Sequence, residues 1–188
     1  EGSFPGDRLG LTHAIRTGQR RPKGNLLAQR LCHNDNDIRW CQAASLRVMR
    51  VAVCQDRRRE GVASLLIEAL EAFALQTNCA YWGSSFSYSA ESLAFWRSLD
   101  AVIVDIGLRL ETASGARNIM VVNPLKPDFK EAVNHLGNRL IDDIANWYPH
   151  YLPEMSPQDL NLLGVSPDLL AADVPGGSRS FDGYGHTK

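Results

Sequence analysis

Arg58-Arg59-Glu60-Gly61-Val62-Ala63-Ser64 is the stretch whose residue types and spacing speak most directly to chemistry. It lies between an apolar run, Val48-Met49-Arg50-Val51-Ala52-Val53, and a helical pattern built on Leu65, Leu66, Ile67 and Leu70. A strand, a basic turn and a helix opening on glycine and alanine together make a cradle for a pyrophosphate. Gly61 admits a close backbone approach, and the N–H groups of the first helical turn have no carbonyl partner within the helix. The helix dipole and the arginines add favourable charge. Glycine at a strand-to-helix turn is also ordinary punctuation, so the stretch alone marks a candidate anion site.

Other reactive side chains are scattered. Cys54 follows the apolar run and is a thiol that could carry an acyl group. No histidine partner for it is identifiable from sequence, so a small packing residue is the simpler reading. Tyr88 is a candidate proton donor and equally a packing residue. His33 and Glu91 are candidates for a general base. The polar run from His33 to Asp37 has a turn composition, and no metal site is expected there.

The elements that must position these groups follow from periodicity. Residues 8–17 have weak helical character, and a basic hinge with Arg20, Arg21 and Lys23 around Pro22 covers 18–24. Residues 25–32 read as a short helix that Asn25 could cap. In the apolar run, Leu46 and Val48 share one phase of a two-residue alternation while Val51 and Val53 take the other, which predicts a β-bulge near Met49–Arg50. A long helix is expected over 62–76, a strand over 80–86 and a helix over 90–99. Two strands over 102–111 and 118–122 are joined by a hairpin loop at Gly115, and an amphipathic helix follows over 129–147. The remainder, rich in Pro, Gly, Asp and Ser, reads as disordered in its last dozen residues.

With 188 residues, 44% of them hydrophobic, the chain can bury one core plus an appendage. No apolar run reaches membrane-spanning length and no signal peptide is evident. Four dispersed cysteines suggest a reducing, cytoplasmic setting, with zinc disfavoured. The net charge of −1 conceals an asymmetry: residues 1–60 hold 12 Lys/Arg against 6 Asp/Glu, and residues 61–188 hold 8 against 15. A basic sector beside an acidic one can guide a polyanion to one face.

The spacing from Arg58 to Ala63 resembles the acetyl-CoA loop of Gcn5-related N-acetyltransferases. The likeness narrows further. Arg20-Arg21-Pro22-Lys23-Gly24-Asn25-Leu26-Leu27-Ala28-Gln29, Arg50-Val51-Ala52-Val53, Arg59-Glu60-Gly61, Ser85-Phe86-Ser87-Tyr88 with Phe95-Trp96, and Ala113-Ser114-Gly115 resemble the acetyltransferase module of the bacterial tRNA(Met) cytidine acetyltransferases. They keep that family's order from about residue 16 to residue 125; the match beyond Pro127 is weaker.

The resemblance implies an α/β (α+β) fold, a mixed sheet flanked by helices that lacks its first strands, with a helical C-terminal tail. Residues 1–125 would be a partial acetyltransferase domain and 126–188 the start of a tRNA-binding region. The implied reaction transfers acetyl from acetyl-CoA to N4 of the wobble cytidine of elongator tRNA(Met). In the family it is coupled to ATP or GTP hydrolysis by a helicase module. The P-loop pattern G-x-x-x-x-G-K-[ST] does not occur here, so the chain is expected to be a piece of a larger enzyme.

Carried over residue by residue, Val51, Ala52 and Val53 would pair with the pantetheine arm. Arg58, Arg59, Glu60, Gly61, Val62, Ala63 and Ser64 would hold the pyrophosphate, and Glu91 would contact the cofactor. Ser98 stands at another cofactor position where the family has arginine, and the adjacent Arg97 is a substitute, although neighbouring helix positions point about 100° apart. Arg58 replaces a common glutamine and Cys54-Gln55 a usual His-Pro. The backbone N–H near Val51 is the candidate oxyanion donor.

For RNA, Arg16, Arg20, Arg21 and Lys23 are the expected phosphate contacts, with Trp40 as a stacking surface. Trp147, Tyr148, His150 and Tyr151 form an aromatic cluster that could also stack, although acidic Asp142 and Asp143 beside it favour interdomain packing. Two other readings stand beside this one. The chain could be an assembly module that dimerises or exchanges strands through an exposed sheet edge, or an N-acetyltransferase acting on a small amine or a protein.

Overall fold

The computed structural model describes residues 10–148 and 150–166. The lead-in before Gly10 and the Gly/Ser-rich end, for which disorder is expected, lie outside the described residues. Three short helices come first: α1 (Gly10–Arg16), α2 (Leu26–Asp35) and α3 (Arg39–Gln42). Then follow β1 (Ser45–Val48), a 3-10 turn at Gln55–Arg57, α4 (Val62–Gln76), β2 (Tyr81–Ser87), α5 (Ala90–Arg97), β3 (Val102–Leu110), β4 (Arg117–Pro124), α6 (Pro127–Trp147) and α7 (Pro157–Leu162).

The four strands form one mixed sheet in the order β1-β2-β4-β3. β1 and β2 are parallel and joined by the α4 crossover, as parallel neighbours require. The other pairings are antiparallel. Alternation along the strands gives the sheet two apolar faces. On one, Val48, Trp82, Ile119, Val121 and Ile106 pack with Ile67 of α4, with Leu93 and Trp96 of α5, and with Leu160 of α7. On the other, Tyr81, Met120, Val122 and Val104 pack with Leu27 and Leu31 of α2, Trp40 of α3, and Phe129 and Val133 of α6. α6 leaves the second face along β3, and its later turn, with Ile144 and Trp147, joins the first core. Gly83 lets α2 reach the sheet: a Cβ there would meet the Val121 carbonyl oxygen at 2.5 Å and Leu27 Cδ2 at 3.0 Å.

Some expectations change. The strand stops at Val48 and residues 49–54 take no part in the ladder, so the phase mismatch marks the strand's end, not a bulge inside it. The helix expected over 25–32 continues through the polar run to Asp35, because Asn36, at φ 55°, is the residue that turns the chain out of the helix. Asn25, itself at φ 47°, makes no side-chain capping bond. Trp40 is fully buried, with its indole N–H donated to Asp35 at 2.7 Å and its ring 5.0 Å from both Tyr81 and Phe129. It is core, and cannot stack on a base.

α7 went unforeseen. Its capping box at Ser156 and Asp159 sets its start, and it lies against α5. Arg117 anchors the chain leading to it, donating to Glu154 and to the Tyr151 carbonyl oxygen at 2.8 Å. Trp147 is buried in the first core.

Candidate acyl-transfer cleft

The end of β1 creates the site. Its last rung is Val48 with Ser84, yet β2 runs on to Ser87, held on that stretch by β4 alone. Past the rung the two chains part, and Arg50, Val51, Ala52 and Val53 form one wall of the opening with no strand paired to them. Ser84 Oγ ties the last rung by donating to the Val48 carbonyl oxygen at 3.0 Å. Val51 turns inward against the first core, while Ala52 is exposed. A backbone with no strand paired to it, beside a strand that runs on, can hydrogen-bond an extended polar chain laid along it.

The cradle follows that wall in the chain and leads into α4. Arg59 and Gly61 both occupy the left-handed region, at φ 68° and 80°. Left-handed residues recur in anion nests, where successive backbone N–H groups face one point. Gly61 is the N-cap of α4 and no side chain caps the helix, so its first-turn donors stay open. A Cβ built on Gly61 meets nothing within 4 Å, so the space before the helix is clear. Arg58 and Arg59 are exposed, and Arg58 Nε lies 3.4 Å from the Val53 carbonyl oxygen, tying the cradle back to the wall. Glu60 pairs with Arg57 through Nε at 2.6 Å as a surface ion pair.

Arg59 and Glu91 meet across the opening at 2.9 Å, which brings the loop before α4 to the first turn of α5. The sequence nominated both residues but gave no sign that they touch. Ser98 does not join them. It ends α5, donates to the Phe95 carbonyl oxygen at 2.7 Å, and lines a separate cavity of about 410 Å³ with Glu68, Glu71 and Leu75. That cavity borders α4 from Ile67 to Leu75 and takes in no residue of the loop at Gly61. Arg97 is likewise committed elsewhere, donating to the Leu162 carbonyl oxygen at 2.7 Å.

Of the proton-handling candidates, Tyr88 follows β2 and donates its hydroxyl to Asp159 of α7. Burial first, then that carboxylate, pushes the phenol's pKa upward. His33 lies elsewhere: its Nδ1 is 3.0 Å from the Arg16 carbonyl oxygen, and it lines a cavity of about 230 Å³ with Asp105, Arg139 and Trp147. That cavity borders β3, at the sheet edge opposite β1. Cys54 is exposed beside the cleft.

The basic hinge is pinned to α2 by Gln29, whose Nε2 donates to the carbonyl oxygens of Pro22 at 2.9 Å and Gly24 at 2.5 Å. Arg20, Arg21 and Lys23 are exposed there, whereas Arg16 is half-buried against His13.

One polar cluster escaped the sequence reading. Glu111, just after β3, accepts from Ser87 Oγ at 2.6 Å, Asn118 Nδ2 at 3.0 Å and Ser114 Oγ at 3.1 Å. Ser85 Oγ in turn donates to Asn118 Oδ1 at 2.6 Å. These donors, Ser87 first, hold the Glu111 carboxyl below its ordinary pKa. The signal was present as hydroxyls at alternate positions of one strand, but only the β2–β4 register shows that Ser87 faces Asn118.

No family model matches this chain. Among characterised proteins, it is 34% identical over 146 residues to the tRNA(Met) cytidine acetyltransferase of Citrobacter koseri. That match takes in 76% of this chain and 22% of the relative. The counterpart in Yersinia pestis is 37% identical over 125 residues, 64% of this chain and 18% of the relative. This chain is related to the tRNA(Met) cytidine acetyltransferases. It spans about a fifth of the length of those relatives. A 146-residue match inside 188 residues has to run through the cradle, α4 and β2. Among solved structures, Ard1 from Thermoplasma volcanium overlays with a TM-score of 0.41 at 18% identity, covering 44% of this chain and 56% of that one. The NatC complex bound to Gag peptide and CoA overlays with a TM-score of 0.40 at 15% identity.

Proposed function

We propose that this chain is the acetyl-CoA-binding part of an acetyltransferase module. Within a larger enzyme, it would transfer acetyl to N4 of the wobble cytidine of elongator tRNA(Met). The observation that carries the reading is the kinship to tRNA(Met) cytidine acetyltransferases across the segment that forms the cradle and the parted strands.

The residues present fit the cofactor. Open donors at Gly61, Val62, Ala63 and Ser64, with Arg58 and Arg59 beside them, would hold the pyrophosphate. Glu91 would fix Arg59 in place. The unpaired backbone of Val51, Ala52 and Val53 would bond the amides of the pantetheine arm as an added strand does. When bound, acetyl-CoA supplies the activated acyl group. The N–H near Val51 would stabilise negative charge developing on the acyl oxygen, a contribution of about 3–4 kcal/mol for a well-aimed donor. Arg20, Arg21 and Lys23 would contact phosphates of the RNA. ATP or GTP would act only through a helicase module elsewhere in the enzyme.

Mass spectrometry of elongator tRNA(Met) after incubation with the chain and acetyl-CoA tests the reading. N4-acetylcytidine at the wobble position, absent when that base is uridine, is expected. Acetylation of polyamines or peptides with the tRNA untouched would refute it. A second reading rests on the free edge of β1 and on Leu65, Leu66, Phe73 and Leu75 of α4, each more than half exposed. These surfaces favour strand addition by a second copy. A single-chain mass by light scattering at high concentration would contradict it.

A further inference from the structure

Ser85, Ser87, Asn118 and Glu111 share the sheet face that carries α2, since Ser85 and Ser87 continue the phase of Tyr81 and Gly83, and Asn118 stands opposite Ser87. α4 lies on the other face. Ser87 is three residues past the last β1–β2 rung, about 10 Å further along β2. Val51 also lies three residues past that rung, on the chain that leaves it, so the Glu111 cluster and the proposed oxyanion donor lie beyond the same end of the β1–β2 ladder. A cofactor held by the α4 cradle would thread the gap from one face and present its acyl carbon to the other. On that face, Glu111 is the carboxylate bonded to Ser87 at the end of β2.

The cluster is also incompletely filled. A carboxylate offers about four acceptor positions, and three protein donors occupy Glu111: two on Oε2 and one on Oε1. One position on Oε1 is left, beside Asn118 Nδ2, which gives one of its two hydrogens to Glu111. An open acceptor next to a donor matches a base edge that donates from an exocyclic amine and accepts at the neighbouring ring nitrogen, as cytosine does. Uracil presents the reverse pattern.

We propose that Glu111 receives the acceptor amine on this face, orients it, and takes its proton, with Asn118 reading the adjacent ring nitrogen. The inference rests on the function proposed above. In the step, the amine nitrogen bonds to the acyl carbon, the C–S bond breaks, and sulfur leaves with the bonding pair as thiolate. The nitrogen proton passes to Glu111 Oε1 and returns through solvent to the thiolate, leaving amide and free thiol. A weak base suffices, because the N–H proton becomes strongly acidic once nitrogen has bonded to the acyl carbon. The basic hinge, packed on α2, lies on this same face, so RNA phosphates and the amine site would be reached from one side.

The test is calorimetric binding of CoA and of a conjugate in which CoA sulfur is joined through an acetyl bridge to N4 of cytidine. Wild type is expected to bind the conjugate at least about ten-fold more tightly than CoA. Glu111→Gln should keep the CoA affinity and lose that gain. If Glu111→Gln fails to bind CoA, Glu111→Asp, which retracts the charge by one methylene, is read in the same way. A gain that persists in the variant, or no gain in a wild type that binds CoA, overturns the role of Glu111. Failure of folded wild type to bind CoA refutes the proposed function, and this inference with it.

Discussion

Arg59 is held in the left-handed region, where a side chain costs about 1 kcal/mol, and it keeps that conformation beside Gly61. The strained turn aims backbone donors into the space before α4 and sets the guanidinium against Glu91. The pair is highly exposed, 83% for Arg59 and 71% for Glu91, so it adds little to stability. Arg59→Ala should therefore shift the unfolding free energy by less than about 0.5 kcal/mol. It should weaken acetyl-CoA binding by roughly five-fold or more, through loss of a charge-assisted phosphate contact. Titration at two salt concentrations checks both charge and contact; unchanged affinity at low salt would remove Arg59 from the site. The residue types at the cradle were readable because glycine and arginine carry their reasons locally. Glu111 was not readable: it becomes a site only when β2, β3 and β4 bring four side chains from distant positions together.

The parted strands depend on where β1 ends, and the sequence marked that place by a phase break without revealing its form. An alternation that changes phase fits a bulge or a strand end equally well, and only the pairing with β2 decides. α4 was legible because its periodicity is long, and β4 because it is bounded by glycine and proline. α7 was not, since its six residues carry almost no period and its capping box reads as loop chemistry. Yet this short helix holds Tyr88 through Asp159, and Arg117 holds the chain before it through Glu154.

Hydrogen bonds from Tyr88 and then Ser156 lower the Asp159 pKa from 3.8, and Arg117 lowers that of Glu154 from 4.5. Depressed carboxylates stabilise the folded chain above their unfolded pKa values, and that contribution is lost as pH falls through the folded ones. Docking of the α7 segment should thus be fully retained above about pH 4.5 and weaken below 3.8. Asp159→Asn should cost about 1 kcal/mol at pH 7 by denaturant titration, and should flatten the acid loss relative to wild type. Equal acid slopes in the two proteins would contradict the assignment.

Across the whole molecule, the sheet separates two tasks. Cradle, α5 and the α7 segment lie on one face; the basic hinge, α2 and the Glu111 cluster lie on the other. The charge asymmetry along the chain foreshadowed a basic sector but not its placement opposite the cradle. Arg139, far along the chain on α6, donates to the Asn34 carbonyl oxygen at 2.5 Å, and Arg30 pairs with buried Asp105. The early helices and α6 are thereby locked into the face that would meet RNA. No helix among the described residues is long and apolar enough to cross a membrane.

The central claim is that the cradle at Gly61 and the gap beyond Val48 hold acetyl-CoA, and calorimetric titration of wild type beside Gly61→Glu tests it most directly. A glutamate at φ 80° would place strain and negative charge where the pyrophosphate should lie. Saturable one-to-one binding by wild type, lost in a variant with unchanged circular dichroism, is the predicted result. Equal binding by both proteins, or none by folded wild type, would contradict it.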